Sequence, residues 1–60
     1  MAKQKLVAMA DRLAITNANL GDLQAAATTF GFDEFARRLQ AERTEIGEDV
    51  AALRRLAEDV

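Results

Sequence analysis

Cysteine, histidine, proline, tryptophan and tyrosine are all absent from this chain. Without Cys or His there is no disulfide, no thiolate or imidazole metal site, and no Cys or His nucleophile. Carboxylates are left as the only strong metal ligands. The lack of Pro, with only three Gly, removes most helix breakers, and the many Ala residues favour helix. No apolar run approaches the roughly 20 residues needed to span a bilayer. The segment Ala2-Lys3-Gln4-Lys5 lacks the apolar core of a secretory signal. A cytoplasmic protein with no membrane contact is therefore expected, and the missing cysteines fit a reducing compartment.

Sixty residues make a single domain, 1–60. A chain this short buries only about 60% of the surface its unfolded form exposes. Small domains usually add a disulfide, a metal or a partner chain. With thiols and imidazoles excluded, association with another chain is the leading route to stability. Charge is uneven along the sequence. Residues 1–30 carry Lys3, Lys5 and Arg12 against Asp11 and Asp22, a net +1, whereas residues 31–60 carry five Arg against eight Asp and Glu, a net −3. Neither half is the basic block that advertises nucleic acid.

What is present is a heptad pattern, twice. With Leu6 at position a, the a sites of the first half are Leu6, Leu13, Leu20 and Ala27. Its d sites are Ala2, Met9, Thr16, Leu23 and Phe30. That spacing predicts a helix packing along a seam. Gly21, within a run rich in Thr and Asn, is its weak point. The second half has d sites Phe32, Leu39, Ile46, Leu53 and Val60, and a sites Ala36, Arg43, Val50 and Ala57. Phe35 and Leu56 widen its apolar face. On the polar side, Glu34–Arg38, Arg38–Glu42, Arg54–Glu58 and Arg55–Asp59 are spaced for ion pairs one turn apart.

The two halves meet at Thr28-Thr29-Phe30-Gly31-Phe32-Asp33-Glu34. Gly31 suits the left-handed residue that ends a helix, and Asp33 suits the N-cap of the next. Stop and start signals this close require antiparallel neighbours. The expected fold is all-α: an antiparallel two-helix hairpin, about 3–30 and 33–59, with its turn at 30–33. Pairing a with a and d with d gives the layers Phe30/Phe32, Ala27/Ala36, Leu23/Leu39, Leu20/Arg43, Thr16/Ile46, Leu13/Val50, Met9/Leu53, Leu6/Ala57 and Ala2/Val60, in register from turn to termini. Two helices cannot shield all of this apolar surface, so self-association into a four-helix bundle is expected. A twofold dimer is the commonest form. Leu6, Met9, Leu13, Leu20, Leu23, Phe30, Phe35, Leu39, Ile46, Val50, Leu53 and Leu56 are the candidate interface residues.

Chemistry is scarce. Thr16, Thr28, Thr29 and Thr44 have no adjacent base, so an enzyme is not expected, and neither is a cofactor. Glu45 and Asp49 stand one turn apart and could share a hard cation weakly, but an acidic, solvated face explains them better. Arg43 is the one charge on the seam. Either it fixes register or grips an acidic partner, or its stem packs on Leu20 while its head reaches water or Glu42; the second reading is preferred. Ala8, Ala14, Ala18 and Ala25 could form a groove for another helical protein. The favoured role is a protein–protein interaction module, adaptor or regulatory, whose partner is itself. The alternative is an RNA- or DNA-binding regulator using a weakly basic helix-1 face of Lys3, Lys5, Arg12 and Asn19, with Asn17 and Gln24 as further amides. The plan resembles the small plasmid-encoded RNA-binding hairpins of the Rop type, with Lys3-Gln4 shared near the start. That resemblance is architectural and assigns no residues.

Overall fold

The computed structural model describes residues 2–60. Two helices, α1 (Ala2–Thr29) and α2 (Asp33–Glu58), pack side by side as an antiparallel hairpin about 45 Å long. These bounds fall within a residue of the expected 3–30 and 33–59. Gly21 does not break α1, because the helix runs unbroken through it.

The connection is built as the sequence suggests at its first half and differently at its second. Gly31 has φ +84°, the left-handed conformation. Its N–H donates to the Thr28 carbonyl at 3.1 Å, and the Phe32 N–H donates to the Ala27 carbonyl at 2.8 Å. This pair of bonds is the Schellman arrangement, which satisfies two carbonyls that α1 would otherwise leave open. Because Phe32 closes that motif, it also becomes the N-cap residue of α2, and its carbonyl accepts the first helical bond, from the Ala36 N–H. Asp33 is therefore the first helical residue and not the cap, and no side chain caps α2. Its carboxylate, with that of Glu34, still sits in the first turn, where the helix dipole favours negative charge.

The seam follows expectation on α2 and departs from it on α1. Ala36, Leu39, Val50 and Ala57 of α2 are buried, with Arg43, Ile46 and Leu53 half-buried between them. On α1 the row Leu6, Leu13, Leu20 and Ala27 does face α2. Its companion row is Ala10, Asn17 and Gln24, however, and the expected d row of Ala2, Met9, Thr16, Leu23 and Phe30 lies exposed. The helix is thus rolled by about half a residue's rotation from the expected seam. The pairing moves with it: Gln24 stands level with Gln40, Gly21 with Arg43 and Asn17 with Gly47. The expected layers Leu23/Leu39, Thr16/Ile46 and Met9/Leu53 therefore do not close within one hairpin, and neither do the terminal pairs Phe30/Phe32 and Ala2/Val60. The reason is Arg43. Set against Leu20 its guanidinium would have no acceptor, whereas the rolled α1 offers it a carbonyl and an amide.

Small residues let the helices approach, and the two helical glycines differ in what they make room for. A Cβ on Gly21 would lie 2.9 Å from the Arg43 guanidinium carbon, whereas one on Gly47 would meet only the Asn17 amide nitrogen at 4.0 Å. Gly47→Ala should gain the helix-propensity difference of about 1 kcal/mol. Gly21→Ala gains the same but displaces a guanidinium whose hydrogen bonds contribute roughly 1.5–3 kcal/mol, so it should lose about 1 kcal/mol net. Chemical denaturation of the two variants at one chain concentration checks this, and a common sign for both would contradict it.

Candidate functional site

The hairpin has two unlike edges. One is polar and closes on itself. Arg43 Nε donates to the Asn17 carbonyl at 3.2 Å, and Asn17 Nδ2 donates back to the Arg43 carbonyl at 3.2 Å. Arg43 Nη1 donates to Gln24 Oε1 and Gln24 Nε2 to Gln40 Oε1, both at 2.9 Å, and Gln40 Nε2 continues to Thr44 Oγ1. Arg43 thus turns to α1 and not to Glu42, while staying only half-buried, which corrects the preferred reading of its head group. One atom is left over: Asn17 Oδ1 is buried without a donor, a cost of about 1–3 kcal/mol. A shallow open hollow of about 350 Å³ lies on this edge, lined by Gln24, Thr28, Asp33, Ala36, Arg37 and Gln40.

The other edge is apolar. Since Asn17, Gly21 and Gln24 meet Arg43, Gln40 and Gly47 on the polar edge, the leucine rows of both helices are forced to the opposite one. Leu6, Leu13 and Leu20 of α1 and Ile46 and Leu53 of α2 are half-buried there. Beside that row on α1, three residues beyond Leu6, Leu20 and Ala27, come Met9, Leu23 and Phe30, 54%, 46% and 75% exposed. Flanking them on α2 are Phe35 and Leu56, also about half exposed. Heptad spacing carries both flanks along the same face. Thr16, Glu42 and Asp49 interrupt it near the middle.

Ten of the twelve expected interface residues therefore share one exposed or half-exposed face. The other two, Leu39 and Val50, are buried between α1 and α2 and have little left to offer a partner. Conversely, Val7 and Ile15 are exposed away from it. Of the small-residue stripe, Ala8, Ala18 and Ala25 are exposed and Ala14 half-buried. Lys3, Lys5, Arg12 and Asn19 are all exposed on α1, but Asn17 and Gln24, counted with them as an amide-rich side, are committed to Arg43.

The charged groups are mostly solvated. Arg38 pairs with Glu34 at 3.7 Å, as the spacing suggests, while Arg54 reaches across to Asp11 at 3.7 Å instead of down its own helix to Glu58. Both pairs are exposed and contribute little. Among the described residues, no three acidic side chains converge to hold a metal ion, Glu45 and Asp49 included. The hydroxyls of Thr16, Thr28, Thr29 and Thr44 each donate to the carbonyl one turn back, with no base beside them. No described helix is long and apolar enough to cross a membrane.

The chain matches no protein-family model, and no curated protein or solved structure matches it at a significant level.

Proposed function

We propose that this chain is a small non-enzymatic oligomerisation module, an adaptor or regulatory helical bundle of the cytoplasm, in which the apolar edge of one hairpin is covered by that of a second copy. Surface area carries the reading. Monomeric proteins of 6.6 kDa expose about 3,900 Å². This hairpin exposes 4556 Å². The excess of roughly 700 Å² approaches the ~800 Å² that each partner gives up in a standard interface. The buried set points the same way. Four of its six residues are Ala, and no large side chain is fully buried. A core of that kind contributes little, since each methyl group supplies only about 0.8 kcal/mol.

The test is the mass of the purified chain in solution. Sedimentation velocity at micromolar concentration should give a dimer or higher even oligomer. A helical, cooperatively melting monomer at that concentration would overturn the proposal.

A further inference from the structure

The geometry points to a specific arrangement of that pair: a dimer with both Gly31 turns at the same end, α1 of each copy lying on α2 of the other. This rests on the self-association reading and adds to it which helix meets which.

Two face-to-face arrangements keep the apolar edges together around a twofold axis. With the axis across the helices, the turns lie at opposite ends, α1 stacks on its own copy and α2 on its own copy. With the axis along the helices, the turns coincide and α1 stacks on α2 of the partner. Charge separates the two. Among the described residues, the charges within the apolar edge are Glu42 and Asp49, both on α2. The opposite-end dimer sets these carboxylates against the same carboxylates of the other copy. The same-end dimer sets them beside Leu23 and Thr16 of α1, with Arg12 one turn away; Asp22, at the height of Glu42, lies farther round α1, beyond the stripe of Lys5, Arg12 and Asn19.

The outer flanks agree. Outside the apolar row of α1 runs Lys5, Arg12 and Asn19, and outside that of α2 runs Arg38, Glu45 and Asp59, all exposed. Within one hairpin these flanks are on opposite sides and do not meet. Heights follow from the observed pairing of Gln24 with Gln40, Gly21 with Arg43 and Asn17 with Gly47. Continued along both helices, that progression puts Asn19 level with Glu45 and Lys5 level with Asp59. The same-end dimer thus places an ammonium beside a carboxylate and an amide beside a carboxylate, twice over. The net +1 of the first half against −3 of the second is the same complementarity seen over the whole chain. Like charges set directly opposite are destabilising, so both edge and flank favour one arrangement.

The absence of native cysteine makes the test direct. Asp33→Cys and Glu58→Cys, at the two ends of α2, are labelled separately with a nitroxide, and the distance between the two labels of a dimer is measured by pulsed electron paramagnetic resonance. The same-end dimer gives a short distance for both variants, on the order of 20 Å from interaxial spacings of 8–10 Å. Distances near the hairpin's 45 Å length for both would overturn the arrangement while leaving self-association intact. No distance, with a monomeric mass, would instead overturn the self-association reading. In parallel, Lys5→Glu should weaken dimerisation roughly three- to tenfold, and adding Asp59→Lys should restore it. Failure of that rescue would remove the Lys5–Asp59 contact.

Discussion

Leu23→Glu should convert the proposed dimer to monomer. Leu23 is 46% exposed in the single hairpin, so the substitution leaves the α1–α2 seam intact and acts on the apolar edge. Each dimer loses the exposed half of two leucine side chains, at about 1 kcal/mol each, which is roughly thirtyfold in dissociation constant. In the same-end dimer the new carboxylate also faces Glu42 of the partner, which adds to the loss. Ile15→Glu is the control, because Ile15 is a similar apolar residue, 63% exposed, but lies off the edge. Sedimentation equilibrium of both variants beside the parent decides the matter. Equal dissociation constants for Leu23→Glu and the parent would show that this edge is not the contact.

Gly31→Val should be the most damaging change to the hairpin itself. The space around Gly31 is open, with nothing within 4 Å of an added Cβ, so no clash confuses the result. The penalty is backbone strain, because a β-branched residue resists the left-handed conformation that the φ of +84° demands. A strained residue of this kind costs on the order of 1–3 kcal/mol. For a domain this size, that lowers the midpoint of a thermal melt by about 10 °C. Gly31→Asn should lose much less, since Asn tolerates the same region. Circular dichroism at one chain concentration measures both. Val and Asn variants melting together would mean that the turn does not depend on its glycine.

These expectations show which parts of the fold the sequence made legible. The turn was readable because Gly31 and the heptad phase on either side point to one place. The seam of α2 was readable because its apolar residues gather on one side, interrupted only by Arg43, with most charge elsewhere. The seam of α1 was not. Apolar residues occupy several of its faces, so two neighbouring rows compete to pack on α2. By side-chain size, the row of Met9, Leu23 and Phe30 is the one expected inside. The structure gives the inner place to Ala10, Asn17 and Gln24, whose polar members supply acceptors for Arg43. The signal was in the sequence: a seam Arg facing a leucine lacks an acceptor, while one step around α1 stand an Asn and a Gln. The same competition between rows shapes the candidate site. The large residues of the rejected row are the ones left outside, which is where a self-association surface needs them, whereas Leu39 and Val50 are spent inside.

The level pairing of the two helices also sets the order in which the chain can assemble. Gln24 and Gln40 are 16 residues apart in sequence and Asn17 and Arg43 are 26 apart. Contacts thus lengthen steadily with distance from Gly31. Closing each successive loop adds only a few tenths of a kcal/mol in chain entropy beyond the last. The hairpin can zip from its turn without searching for distant partners, which is the regime of microsecond to millisecond folding. If two copies pair as proposed above, the slow event is the meeting of two zipped hairpins. Under the pairing proposed above, the observed rate rises with chain concentration, and dilution delays folding as well as weakening it.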